Sequence, residues 1–324
     1  MFIKRKGKVS GSRDLSLSQL YTKYTLKISE LFSRSGGIFL RRIKIRWRLI
    51  ISFLLLSMGP LIILGLSAYN NSRNVLTNVI KQYTDQVVTQ FGSNINIELS
   101  KSMEDANSFI FSSIVQDNFT NYSNLEIYDR ITLHNDISRD MTYRTSQNNS
   151  IADMIFYPAS GDSPIYVGAK DFGIPYDELN VIFSEEPENY KWYIDESGKA
   201  AYARKGKNIN SGADLGNLFI SIKPESINSH FSTLELGQSV DLLFITDQGQ
   251  VLYSNRDDIA RGSIYPYEPL IEKINEYYES DLKSSSFKIN INGESECNYY
   301  KIDKTPFYVV TITPYSFFYT ASNV

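Results

Sequence analysis

The sequence predicts an α+β protein, in which an apolar span and a long helix precede two antiparallel sheet units. Three observations predict it. An uncharged apolar run, Leu49–Ala68, separates a basic head from an acidic body. A one-sided apolar stripe then runs through residues 70–115, with no proline to interrupt it. Beyond it come two sets of short extended runs punctuated by turn residues.

The chain has 324 residues, enough for one large or two modest folding units. At 42% hydrophobic and 21% charged it is ordinary in composition, which excludes wholesale disorder, collagen-like repeats and a polytopic membrane protein. A single cysteine, Cys297, excludes an internal disulfide and a Cys-cluster zinc site. With only His134 and His230 besides, no metal or other cofactor is expected. The net charge of −3 hides a split. Residues 1–48 carry 13 Lys and Arg against Asp14 and Glu30, residues 49–68 carry none, and the remainder carries 20 basic against 34 acidic residues. Such a chain reads as a membrane protein and not as a nucleic-acid binder.

Twenty helical residues rise about 30 Å, the thickness of the hydrocarbon core, so Leu49–Ala68 is long enough to span it. Gly59-Pro60 lies mid-span, where membrane helices tolerate it. Arg41, Arg42, Lys44, Arg46 and Arg48 precede the span, and only Arg73 and Lys81 follow it closely. The positive-inside rule puts the N-terminus in the cytoplasm and residues 69–324 outside. Trp47 and Tyr69 sit where interfacial anchors belong. A cleaved signal peptide is the alternative, but its basic region would be 48 residues long. The basic head suits anionic lipid as a partner, or serves only to set topology. Residues 15–32 are a candidate interfacial helix.

The stripe after the span is Leu76, Ile80, Tyr83, Val87, Phe91, Ile95, Leu99, Met103, Ala106 and Ile110, in steps of three and four. It predicts a rod of roughly 65 Å at about 1.5 Å per residue. The stripe packs on its own domain, and it is expected also to form a homodimer and to carry motion inward. A second helix is expected over 123–146. Five strands follow: Ile151–Tyr157, Ser163–Ala169, Lys191–Ile194, Ala200–Arg204 and Leu218–Ile222. Asp195-Glu196-Ser197-Gly198 makes the hairpin turn, and Pro224 stops the set. The last third reads β-β-α-β-β-β: Val240–Thr246, Val251–Ser254, a helix begun by Pro266 or Pro269, Phe287–Ile291, Cys297–Ile302 and Phe307–Ile312. Asn292-Gly293 is a hairpin turn. This order fits one five-stranded sheet with a helix on one face.

Three stretches carry a family resemblance. Gly216–Ile227 (GNLFISIKPESI) looks like the strand closing a first Cache unit. Asp241–Ser254 (DLLFITDQGQVLYS) looks like the opening hairpin of a second, and Tyr300–Pro314 (YKIDKTPFYVVTITP) like its last two strands. Residues 49–318 therefore resemble the double Cache sensor domain, with two PAS-like sheet units. The resemblance implies a basic cytoplasmic segment (1–48), a transmembrane helix (49–68), a long extracellular helix (69–117), a membrane-distal unit (118–235), a membrane-proximal unit (236–316) and a tail (317–324). Most members with such a head and span are sensor histidine kinases of Gram-positive bacteria, and chemoreceptors share the ectodomain. They continue into a second span and a signalling module. This sequence stops before either, so it is expected to be the sensor part alone, with no enzymatic activity of its own.

Amino-acid-binding Cache domains carry an aromatic pair with an arginine two places before the Trp. Here Trp192-Tyr193 keeps the pair, but Tyr190 stands where the arginine would. Aromatic walls with a few fixed polar groups still suit a small-molecule pocket. Its expected lining is Tyr157, Tyr166, Trp192, Tyr193, Tyr202 and Arg204, with Arg204 as a carboxylate clamp. Asp214 is a further candidate, either for a ligand ammonium or as a loop cap. Taken singly, each of these aromatics reads first as core, and Arg204 as a surface or structural residue. Glu185-Glu186 and Asp257-Asp258 read as exposed loop charges, and no Gly-x-Ser-x-Gly occurs. The expected function is ligand sensing for a two-component kinase or a chemoreceptor. A membrane-anchored surface enzyme or wall-binding module is the alternative.

Overall fold

The computed structural model describes residues 44–169, 172–185, 187–232, 240–279, 283–291 and 293–316. The interfacial helix expected at 15–32, nearly all of the basic head, the join expected near 234–238, Asn292 and the tail lie outside the described residues. The chain divides into two compact units, residues 1–72 and 73–324.

The described part of the first unit belongs to helix α1, Ile45–Ile110. Its apolar side chains are bare: Leu49, Phe53, Leu56, Leu61 and Ile63 are all exposed. Among the described residues, one helix is long and apolar enough to cross a membrane, and this is it. Pro60 lies within it.

In the second unit α1 turns its stripe inward. Ile95, Leu99, Ala106 and Ile110 have no exposed surface, and Val88 and Phe109 join them. Each of these side chains other than Ala106 contributes about 1.5–3 kcal/mol of burial. From Val87 onward the stripe is consumed by the chain's own core, so little of it remains for a partner helix. Tyr83 and Ile97 stay exposed. Gln116, on α2 (Ser113–Asn118), closes the end of α1. Its amide donates to the carbonyls of Ile110 and Lys207, at 2.8 and 3.1 Å. A 3-10 segment, Phe119–Asn124, leads into α3, Ile127–Gln147.

The first sheet has the order β2-β1-β5-β4-β3 and is antiparallel throughout. Its strands are β1 (Ile151–Pro158), β2 (Ile165–Val167), β3 (Tyr190–Ile194), β4 (Ala200–Lys207) and β5 (Asp214–Ile222). One face, with Met154, Phe156, Tyr202, Leu218 and Ile220, packs in the same core as α1 and α3. The other face, with Ile155, Ala201, Ala203 and Phe219, lies under Tyr176, Leu179 and Phe183 of α4 (Tyr176–Glu185). No helix was expected there. Pro175 precedes α4 and Asp177 and Glu178 open it, both good N-terminal signals.

Pro224 does not merely stop β5. It begins α5, Pro224–Ser232, as proline does at a first helical position. The second sheet has the order β7-β6-β10-β9-β8, with β6 (Asp241–Thr246), β7 (Val251–Ser254), β8 (Ser284–Asn290), β9 (Glu294–Lys301) and β10 (Phe307–Pro314). Its Leu242, Phe244, Phe307 and Val309 share the core with α1. Its opposite face is covered by Leu270 and Ile274 of α6, Glu268–Glu279.

Glu98 ties three elements together. Ser150, just before β1, donates to its Oε1 at 2.5 Å, and His230 of α5 pairs with its Oε2. Burial raises the Glu98 carboxyl. Hydrogen bonds from Ser150, Ser226 and His230, with the His230 charge, outweigh this and hold it below the usual carboxylate range. A depressed carboxylate contributes stability above its unfolded value and loses it as the pH falls through the folded one. Glu98→Gln is therefore expected to be less stable than the parent near pH 7. The gap should close as the pH falls below about 4, the usual carboxylate value. Denaturant melts from pH 7 to pH 3 check this, and a gap independent of pH would refute it.

Candidate functional site

The α4-covered face of the first sheet holds a polar groove of about 390 Å³ at one end of the helix. Cross-strand register builds it: Tyr157 of β1 and Lys205 of β4 both pair with Asn217 of β5, so three polar side chains stand in one row. Asn217 donates to Asn180 Oδ1 and Ser184 Oγ on α4, at 2.8 and 3.0 Å. Tyr157 donates its hydroxyl to Asp177 at 2.9 Å. Burial, then the Asp177 bond and charge, push the Tyr157 phenol far up, so it remains a donor at every physiological pH.

Beyond that row the ladder slips between Gly206 and Lys207, and Lys207 comes to face Asp214. Gly216 lets β5 lie close against β1 there. It sits at φ 143°, and a Cβ there would lie 2.1 Å from the Tyr157 carbonyl oxygen. The groove is thus lined by two ammonium groups, a carboxylate, two amides, a serine hydroxyl and a phenol. That set suits a small polar molecule with both donors and acceptors.

The structure places the seven expected pocket residues in four places. Tyr157 and Asp214 line the groove. Trp192 and Tyr193 line a separate recess beside β3. Tyr202 and Arg204 lie on the opposite, helix-facing side of the sheet. There Tyr202 packs 5.1 Å from Trp192 and 6.0 Å from Tyr190, ring centre to ring centre. Burial pushes the Tyr202 phenol up to about 12, the nearby Arg204 charge notwithstanding. Tyr166 lies on the edge strand β2, 48% exposed. A single aromatic pocket holding all seven does not form, because neighbouring residues on a strand point to opposite faces. Asn180, Ser184, Lys205, Lys207 and Asn217 were not anticipated. Their sequence signal was the 176/179/183 apolar spacing of α4. Among the described residues no three His, Cys, Asp or Glu side chains are grouped to hold a metal.

No protein-family model matches the chain, and no curated protein matches it either. Solved structures do. The extracellular domain of a protein named as histidine kinase rpHK1S-Z16 superposes with a TM-score of 0.52 at 11% identity, over 73% of this chain and 95% of that one. The fold is shared with that extracellular domain. The sensor domain of the Vibrio cholerae histidine kinase DctB is similar at a TM-score of 0.46 and 12% identity, over 74% of this chain and 98% of that one. The sensory domain of the Campylobacter jejuni chemoreceptor Tlp3, with isoleucine bound, gives 0.47 and 12%, over 76% and 98%. Scores this low carry no weight for a ligand or a site. The first likeness bears on the fold: a long helix leading into two antiparallel five-stranded sheets.

Proposed function

We propose that this chain is a membrane-anchored extracellular sensor that binds a small polar molecule in the groove beneath α4. The reading rests chiefly on the groove itself, where Lys205, Lys207, Asp214 and Asn217 converge on one face of a sensor-type sheet. The exposed apolar span of α1 supports the anchor, and the basic residues before it support a cytoplasmic N-terminus. A two-component kinase or a chemoreceptor module would read the signal. Ligand energy can bias only what differs between two states, and α1, packed on both sheets, is the element both states would share.

The test is a thermal-shift screen of the full chain in detergent micelles against amino acids, organic acids, sugars and polyamines. A ligand at 100 times its Kd adds about 2.7 kcal/mol, a rise of about 5–10 °C for a domain of this size. The rise should saturate, and it should vanish in Asp214→Asn and Lys205→Gln. A ligand whose shift survives both substitutions would place the site elsewhere and refute the groove.

A further inference from the structure

The groove beneath α4 has an uneven charge balance. Two ammonium groups of its lining, Lys205 and Lys207, stand against one carboxylate, Asp214. Lys207 and Asp214 pair in register across β4 and β5, yet neither side chain makes an ion pair or a hydrogen bond among the described residues. Both charges are open to a ligand. Lys205 is half-buried on the α4 side, with its ammonium 5.3 Å from the centre of the Phe183 ring and 3.5 Å from the Ser184 carbonyl oxygen. The excess of positive charge favours an anion.

The neutral polar groups are fixed in orientation. Asn217 commits both amide hydrogens, one to Asn180 Oδ1 and one to Ser184 Oγ. Its own Oδ1 is left as an acceptor, and Asn180 keeps its amide hydrogens as donors. The Ser184 hydroxyl donates in turn to the Asn180 carbonyl at 2.7 Å, which locks the set. An acceptor beside a donor matches a hydroxyl group, which donates and accepts at once. The two oxygens of Asp214 can accept from two neighbouring hydroxyls in the same way.

Apolar surface is scarce. Pro158 and Ala159 are the aliphatic part of the lining. A ligand with a long apolar body would cover the polar groups without pairing them, which costs free energy at each one. The volume of about 390 Å³ lies within the range of small-molecule sites.

On the reading of this groove as the ligand site, we infer that its ligand is a sugar acid. The carboxylate lies against Lys205 and Lys207, and the hydroxyls pair with Asp214, Asn217 and Asn180. A neutral sugar leaves both ammonium groups without a counter-charge. A simple carboxylate leaves the amides and Asp214 unpaired. An amino acid sets its own ammonium on Asp214 and brings no row of hydroxyls to the amide pair.

The probes are D-glucuronate, D-glucose, acetate and L-glutamine, titrated calorimetrically into the full chain in detergent micelles. Glucuronate should bind saturably and the other three at least about tenfold more weakly, the loss of one charge-assisted contact or its equivalent in hydroxyl contacts. Lys207→Gln, at an exposed position, should weaken glucuronate about tenfold. Lys304→Gln, at an exposed position between β9 and β10, should leave glucuronate unchanged. Loss with Lys304→Gln would mean unspecific charge attraction and overturn the inference. If another probe binds more tightly than glucuronate and is weakened by Lys207→Gln or Asp214→Asn, the sugar-acid class is wrong and the groove stands. If glucuronate binds but is indifferent to Lys205→Gln, Lys207→Gln and Asp214→Asn, the groove falls and the inference with it. Absence of binding by all four overturns the sugar acid and leaves the groove to the wider thermal-shift screen.

Discussion

Gly92→Val should unfold about 6–12 °C below the parent in a thermal melt followed by circular dichroism, a loss of about 3 kcal/mol. At Gly92 helix α1 lies against Tyr300 of the second sheet. A Cβ there would stand 2.2 Å from Tyr300 Cδ1 and 2.7 Å from Tyr300 Cβ. The tyrosine cannot simply swing aside, because its near end is involved and β9 is hydrogen-bonded on both flanks, to β8 and β10. The helix cannot back away either, since Val88 and Ile95 anchor it one turn to each side. Intrinsic propensity runs the other way, with glycine costing about 1 kcal/mol in a helix interior. Tyr300→Ala in the Gly92→Ala background should therefore recover stability that Gly92→Ala alone does not, a coupling of about 1 kcal/mol or more. A Gly92→Val protein that melts with the parent would disprove this packing.

Asp195→Ala is expected to cost about 3–4 kcal/mol, through a different mechanism. Asp195 is 1% exposed and ends β3. Its carboxylate accepts from the amides of Gly173, Ser197 and Lys199 at 2.7, 2.9 and 2.8 Å, and from Ser197 Oγ at 2.7 Å. Alanine would strand those donors in a crowded site. The turn it organises is seated against the second sheet: Arg261 donates to the Ser197 carbonyl at 2.8 Å, and a Cβ on Gly262 would meet the Glu196 oxygen at 2.0 Å. Asparagine, with one acceptor oxygen, should fall between. Denaturant midpoints of the three proteins test the order. If Asp195→Ala melts within about 1 kcal/mol of the parent, water has replaced the carboxylate and the turn is not what joins the sheets there.

Much of this architecture was legible in advance because it depends on local periodicity. The α1 stripe, the Asp195–Gly198 hairpin and the β-β-α-β-β-β order of the last third all follow from spacing and turn chemistry. Helices α4 and α5 were not anticipated. Each is short; Pro224 was read only as a stop, and Pro175 was not read at all, although proline also starts helices. The expected lining is spread over several places for a reason the sequence already contained. Trp192 and Tyr193 are adjacent on a strand, so their side chains leave it on opposite faces, and both border the recess only because β3 is an edge strand. The apolar residues 154, 156, 202, 218 and 220 were already enough to assign Tyr202 to the core side.

The sequence by itself determined the charge split, the uncharged span, the helix that follows and the number and kind of sheet units. These depend on composition and on periods of 3.6 and 2, which neighbours along the chain impose on one another. Only the tertiary structure decided which polar residues meet. Tyr157, Lys205 and Asn217 come from three strands, separated by 48 and 12 positions in the chain. They stand in one row because β5 inserts between β1 and β4 in a particular register. The recess beside β3 likewise exists because two turns of the second sheet close over the edge of the first. Register and docking are set by long-range packing, and no local pattern encodes them.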